Sequence, residues 1–389
     1  MTIFSQTRRG LGIAIALAAV IRAGVFIFTL LQPIPNESGM PISPLNVSPG
    51  IDFAFYDMTR DLLFNGSMSD IVESIGRAFD PDLDPSAPGI VYPAAPVFPL
   101  ILGVFSYGPG NTLPLAIFYF VLGFGLSAGW LWWLHRKGVP SVWLVAFALL
   151  PNPIWLTLNV STDLLFAALV GLFYWAYFRG QSARIWLALG VAVIAALTRP
   201  NGVILLIFIV AALFLGTTDL PKRIRLQVIA LAAIPIPLLI LFFLPELKSF
   251  TGEPARYFGA TQSEYLAGVF NTLPIFADRA LSFLSLVGAK LLYFSGLRPS
   301  YGDTDPFLVL IRAAPGLIFL PGLIYMLIWG GREHRLLLVI YLAPVMIGAS
   351  QDRYNFPIQP LLFYFGYLAY ARVGGILGGP FRGRQLKAP

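Results

Sequence analysis

Asp52, Tyr56 and Thr59 recur at helical spacing within Ser48-Pro-Gly-Ile-Asp-Phe-Ala-Phe-Tyr-Asp-Met-Thr-Arg-Asp-Leu-Leu-Phe-Asn-Gly66. Pro49-Gly50 marks the start of a short helix and Asn65-Gly66 its end, so the three side chains project from one side of it. A carboxylate fixed at a membrane surface on such a helix could act on a lipid-carried substrate. The competing reading is a solvated loop helix whose acids sit near its N-terminus because the helix dipole favours them there. Two guanidinium groups complete the set of interest: Arg199 in Thr198-Arg-Pro-Asn-Gly202 and Arg353 in Gln351-Asp-Arg-Tyr354. Arginine at the outer end of a helix asks for an anion, and phosphate suits its planar fork. The alternative for either is a snorkelling side chain or a helix-end ion pair with Asp163 or Asp352. Asp163 follows Thr162 at a helix N-terminus, where a capping role competes with a catalytic one.

The elements that must position these residues follow from composition. Of 389 residues, 57% are hydrophobic and 12% charged, with a mean hydropathy of +0.76. That is an all-α polytopic membrane protein, with room for about ten spans and no separate soluble domain of ordinary size. There is no cysteine, which excludes disulfides and thiolate metal sites. The net charge of +7 comes from basic residues in short interhelical loops, the pattern of the positive-inside rule and not of a nucleic-acid binder.

Arg8-Arg9 ahead of an apolar run reads as an uncleaved signal-anchor with the N-terminus inside. Arg22 near the middle of that helix either orders the bundle or is paired or snorkelling. Residues 33–94 form a first outer loop with amphipathic helices, the second being Ser69-Asp-Ile-Val-Glu-Ser-Ile-Gly-Arg-Ala-Phe. Tyr92-Pro-Ala-Ala-Pro-Val-Phe-Pro to Tyr107 is too short and proline-rich to span, and a crossing there would put His135-Arg136-Lys137 outside, so it is read as juxtamembrane or re-entrant. Helices follow near 112–134, 140–158, 163–178, 185–198, 201–216, 226–244, 307–329, 335–349 and 357–372. Residues 245–306 form a second outer loop in which the segment around Lys290 lies at the surface, and 377–389 a basic inner tail after one transmembrane domain of residues 1–376. The outer polar residues then gather at one end of the bundle: Asp52 and its loop, Asp163, Arg199, Lys290, Arg298, Arg353 and Tyr354.

The chain resembles the GT-C superfamily of glycosyltransferases, polytopic enzymes that take a sugar from a polyprenyl-phosphate donor; protein O-mannosyltransferases, lipid A glycosyltransferases and the mannosyltransferases of lipid-anchor synthesis belong to it. Asp52 through Gly66 is similar to the family's Asp-Glu, Tyr, Leu-Leu-x-x-Gly opening. Tyr92-Pro-Ala-Ala-Pro-Val-Phe-Pro resembles its Pro-Pro-Leu-x-Pro juxtamembrane helix, and Ser161-Thr-Asp163, Thr198-Arg-Pro-Asn-Gly and Arg353-Tyr-x-x-Pro-x-x-Pro360 continue the set in order. Phe53 stands where many members carry a second acid and Ala94-Ala95 interrupts the Pro-Pro pair, which points away from a two-carboxylate or metal-assisted site. No metal or other cofactor is expected.

The resemblance implies transfer of a hexose, such as mannose, from a polyprenyl-phosphate donor to a lipid, glycan or protein acceptor at the outer face of a bacterial inner membrane. The leaving phosphate must be neutralised and the attacking hydroxyl deprotonated. Asp52 is the expected general base, with inversion at the anomeric carbon. Arg199 and Arg353 are the expected phosphate ligands, with Lys290 and Arg298 behind them, and Tyr56, Asp163 and Tyr354 are candidate substrate contacts. His135 and His334 both fall on the inner side, which rules out an outward Ser-His-Asp or histidine-metal arrangement with Asp52. No Walker-type loop is present. A transporter or flippase of lipid-linked sugars is the alternative, but it should carry charges or broken helices at mid-depth in several spans, and only Arg22 does so here.

Overall fold

The computed structural model describes residues 8–32, 34–35, 41–42, 51–78, 95–105, 112–156, 160–178, 182–216, 220–242, 287–288, 290–297, 310–311, 313–347 and 352–376. They are mostly helical. The first helices are α1 (Arg8–Leu31), α2 (Ile51–Asn65), α3 (Met68–Ala78), α4 (Val97–Val104) and α5 (Leu113–Arg136). Next come α6 (Ser141–Ala148), α7 (Pro151–Leu156), α8 (Thr162–Tyr177), α9 (Ser182–Thr198), α10 (Val203–Phe214), α11 (Lys222–Ala233) and α12 (Pro235–Phe242). The C-terminal set is α13 (Gly316–Trp329), α14 (Arg332–Ile347) and α15 (Gln359–Ile376). A small antiparallel pairing joins Ile34–Pro35 to Pro41–Ile42.

Among these, α1 and α5 are each 24 residues and apolar, long enough to cross a membrane, while α8, α13 and the apolar parts of α9 and α10 are shorter. A 24-residue helix spans about 36 Å, more than the roughly 30 Å of bilayer hydrocarbon. The expected helix at 140–158 is divided into α6 and α7, and that at 226–244 into α11 and α12. Pro151 and Pro235 stand at the two breaks; proline removes an amide donor and crowds the preceding turn, so it restarts a helix more readily than it continues one. The second outer loop lies almost wholly outside the described residues, as do Arg298, residues 79–94 and the tail 377–389.

The chain forms two compact units: Met1–Gly12, Leu131–Asn152 and Phe250–Pro389 in one, Ile13–Trp130 and Pro153–Ser249 in the other. In the second unit α8 and α9 form a closely packed pair, α9 and α11 pack on α10, and α4 packs on both α2 and α9. Arg22 is 1% exposed and turns back along its own helix, its Nη1 donating to the Ala18 carbonyl at 3.2 Å.

In the first unit α13 and α15 lie backbone to backbone. A Cβ at Gly322 would strike the Leu362 carbonyl and one at Gly366 the Ile318 carbonyl, so only glycine permits this approach. The Tyr370 hydroxyl donates to Leu317 O at 2.7 Å, and Trp143 of α6 packs edge-on against Phe363 and Tyr367. At the end of α5, Val139 N–H bonds Leu134 O and Gly138 N–H bonds His135 O, with Gly138 at φ 87°. That double closure needs a left-handed residue, which is why glycine ends the helix at the His135-Arg136-Lys137 cluster.

Candidate active site

The helix carrying Asp52 runs from Ile51 to Asn65, with Asp52 in its first turn, where a negative charge complements the exposed N–H groups. The structure describes the backbone of Asp52, and further along the helix the side chains as well. Tyr56 sets its ring edge-on against Phe98 of α4, centroids 5.0 Å apart, and Phe98 in turn meets Tyr119 of α5 at 6.3 Å. Thr59 is buried. Phe64 lies where a side chain at Gly103 would fall, so the small residue on α4 lets α2 dock. Arg60 is held by Asp57 at 2.8 Å and by Asp61 at 2.7 Å, two acids on its own helix. The side of α2 that bears Tyr56 and Thr59 is therefore fixed by packing on α4.

Within the same unit, α9 ends at Thr198, whose hydroxyl donates to the Ile194 carbonyl at 2.7 Å. Arg199 leaves the helix in an extended conformation, φ −157° and ψ 138°, as the residue before a proline prefers. Pro200-Asn-Gly202 then makes one 3-10 turn that feeds α10. A Cβ at Gly202 would penetrate the backbone of Ala195 and Ala196, so the Thr-Arg-Pro-Asn-Gly motif is a reversal that brings the two helices into backbone contact. The reversal presents the Arg199 guanidinium to the N-terminus of α8, where its Nη1 donates to Asp163 Oδ1. The two side chains are only 16% and 11% exposed. An acid at a helix N-terminus and a base at a helix C-terminus each complement the local dipole, and their pairing fastens the end of the α8–α9 pair.

The first unit carries the other cations. Lys290, 4% exposed, lies in a helical stretch that continues through Phe294, and burial pushes its pKa down to about 8. Arg353 and Tyr354 belong to the 3-10 segment Asp352–Ile358 that leads into α15; for Arg353 only the backbone is described. The Tyr341 hydroxyl of α14 donates to the Tyr354 carbonyl at 3.0 Å. Asn355 Nδ2 donates to the Phe294 carbonyl at 2.5 Å, and Gln359 Nε2 donates to Asn355 Oδ1 at 2.6 Å, with both amides fully buried. Among the described residues there is no group of three or more His, Asp or Glu placed to hold a metal ion.

The fold is similar to that of an archaeal oligosaccharyltransferase. The structure of the Archaeoglobus fulgidus oligosaccharyltransferase tethered through a disulfide to an acceptor peptide with the NVT sequon matches at a TM-score of 0.50. Identity is 14%, over 98% of this chain and 52% of that one. The structure of archaeal oligosaccharyltransferase AglB from the same organism, in complex with an inhibitory peptide and a dolichol-phosphate, gives a TM-score of 0.49 at 15% identity, over 97% and 52%. This chain thus spans about half the length of the oligosaccharyltransferase, a GT-C-type glycosyltransferase. No family model and no curated protein matches the chain.

Of the residues singled out in the sequence, the structure brings Asp163 and Arg199 into direct contact and packs Tyr56 on α4. The ion pair is the alternative role set against phosphate binding for Arg199. Arg298 lies outside the described residues. Asn355 and Gln359 occupy variable positions of Arg353-Tyr-x-x-Pro-x-x-Pro360, and Phe98, part of the proline-rich motif but not a site candidate, lies against Tyr56. A neutral amide surrounded by Phe and Pro was the available signal, because such a group enters a core only with its hydrogen bonds satisfied.

Proposed function

We propose that this chain is a membrane glycosyltransferase that moves a hexose from a polyprenyl-phosphate donor to a lipid, glycan or protein acceptor on the outer side of a bacterial inner membrane. The observation that carries the reading is the likeness of fold, which extends over 98% of the chain, to a glycosyltransferase. The ordered motifs of the sequence, from the Asp52 segment to Arg353-Tyr-x-x-Pro-x-x-Pro360, support the same reading.

In this mechanism the acceptor hydroxyl attacks the anomeric carbon from the face opposite the lipid phosphate. The new C–O bond forms as the sugar–phosphate bond breaks, its electron pair leaves on the phosphate, and the hydroxyl proton passes to the Asp52 carboxylate. The configuration inverts. Arg353, Lys290 and Arg298 are the proposed ligands of the departing phosphate, whose charge grows as the bond breaks. Arg199 is a further candidate phosphate ligand, with Asp163 holding its guanidinium in place. Tyr56 and Tyr354 would line the sugar or acceptor path.

The deciding experiment is transfer of radiolabelled sugar from a polyprenyl-phosphate donor by the purified full-length protein. Asp52→Asn should lose about a hundred- to ten-thousand-fold in rate while still binding the donor lipid. Near-normal transfer by that variant would remove Asp52 from the role, and absence of transfer by the wild type with any polyprenyl-phosphate sugar would defeat the reading.

A further inference from the structure

Termini of α1, α5, α13, α14 and α15 meet at one end of the first unit. A Cβ at Gly10 would strike the Ser141 side chain, so Arg8 and Arg9 at the start of α1 lie beside the turn from α5 into α6. Trp133, in the last turn of α5, packs edge-on against Tyr364 of α15 at 5.6 Å between centroids. His334, in the first turn of α14, meets Phe365 at 5.4 Å, and Tyr325 near the end of α13 meets the same ring at 6.3 Å. Three cations at this end lie over aromatic faces: Arg372 over Trp329 at 4.6 Å, Arg136 over Trp132 at 5.6 Å, and Lys137 over Trp133 and Tyr364 at 5.8 and 5.9 Å. Among the described residues none of the three has an ion-pair partner. With the exposed Arg332 and Arg335, the basic residues here far outnumber the one described acid, Glu333.

A guanidinium resting on an indole keeps its N–H donors in its own plane, where a phosphodiester can take two of them at once. The ring also holds a long side chain that would otherwise lose rotamer freedom on binding. Apolar surface beside the charge distinguishes a lipid from a free anion. Trp132 and Trp329 are 42% and 47% exposed, and Leu327, Ile328 and Val373 are exposed as well. Such rings and aliphatic groups suit glycerol and the first methylenes of an acyl chain, while the cations suit the phosphate. The basic start of α11 differs: Lys222 and Arg223 are exposed, but neither lies over a ring among the described residues. We propose that this end of the first unit is a binding site for an anionic phospholipid, with Arg372 on Trp329, Arg136 on Trp132 and Lys137 on Trp133 taking the phosphate and the exposed indoles lying along the glycerol and upper acyl chain. The site requires that the chain lie in a membrane and is independent of sugar transfer.

The test is native mass spectrometry of the full-length protein released from detergent micelles, titrated with phosphatidylglycerol or phosphatidylcholine of the same acyl chains and with glycerol 1-phosphate as the soluble headgroup. The wild type should bind phosphatidylglycerol at least about tenfold more tightly than phosphatidylcholine and should not bind glycerol 1-phosphate at the same concentrations. Arg372→Gln should cost about fivefold in phosphatidylglycerol affinity and leave phosphatidylcholine unchanged. Trp329→Leu should cost about twofold, and in that background Arg372→Gln should add less than about threefold, since ring and cation act together. Arg136→Gln with Trp132→Leu supplies the same cycle if Trp329→Leu does not fold. Lys222→Gln combined with Arg223→Gln removes two charges from α11 and should leave phosphatidylglycerol affinity within about twofold of wild type. Equal affinity for the two lipids, glycerol 1-phosphate bound as tightly as lipid, additive losses at ring and cation, or an α11 loss as large as that of Arg372→Gln would overturn the assignment. The full pattern in a protein that transfers no sugar would uphold the lipid site and reject glycosyl transfer instead.

Discussion

At the end of the α8–α9 pair Arg199 meets a carboxylate, whereas the segment bearing Arg353 is fastened by two amides and a phenol. Both regions hold a positive charge near a helix terminus, and both rest on a proline-containing motif. They differ in what secures the chain. Where the cation itself takes part in the fastening, its electrostatic capacity is partly consumed by the fold. Where neutral groups do the fastening, charge and structure are separable, so a substitution can weaken one without the other.

The contrast is sharpest in variants that remove one partner. Arg199→Ala strands the Asp163 carboxylate in a nearly closed environment and should destabilise the second unit by about 3 kcal/mol. Thermal or denaturant unfolding in detergent should show this, with much of the loss recovered when Asp163→Leu is added; an unchanged unfolding midpoint would mean that the pair does not fasten the helices. Asn355→Leu removes the donor to Phe294 O and should cost about 1–2 kcal/mol, less than Arg199→Ala, and a larger loss would erase the distinction between the two regions. Tyr341→Phe deletes only the bond to Tyr354 O and should cost about 1 kcal/mol or less, measurable as a small shift of the same transition.

Acidity divides the regions as well. Burial lowers the Lys290 pKa from 10.5 to about 8, so the unfolded chain binds more protons than the folded one between those values. The penalty of burying charged Lys290 is fully present below about 8 and disappears as pH rises to 10.5, so this residue makes the fold more stable toward alkaline pH. Phosphate-lipid binding that uses the ammonium should run the other way and weaken as pH rises through about 8. Titrating undecaprenyl phosphate affinity against pH in wild type and Lys290→Met checks this: the slope near 8 should vanish in the variant.

Much of the helical skeleton was legible because it is written in local signals. Pro49-Gly50 and Asn65-Gly66 bracket α2 at Ile51–Asn65, and the apolar run before His135-Arg136-Lys137 ends where Gly138 allows the chain to turn. Pro151 and Pro235 were visible too, but the apolar stretches on either side obscured the two breaks they mark. Side-chain partnerships were harder to anticipate. The Asp163–Arg199 pair was foreseeable as one option, because helix-end charges on successive helices have few other places to go. The Asn355–Phe294 bond was not, since an amide that seeks a backbone carbonyl far along the chain leaves no periodicity and no charge pattern. Phe98 was hidden for a similar reason: an aromatic in a proline-rich apolar segment looks the same whether it faces lipid or another ring.

The bare glycine contacts between α13 and α15 carry a mechanical consequence. No side chain separates Gly322 from the Leu362 carbonyl or Gly366 from the Ile318 carbonyl, and the two backbones lie closer than any larger residue would allow. The 3-10 segment from Asp352 to Ile358 leads directly into α15 of this pair. Alanine at either glycine would wedge the two helices apart, so the spacing of the pair is set by two residues that have no side chain.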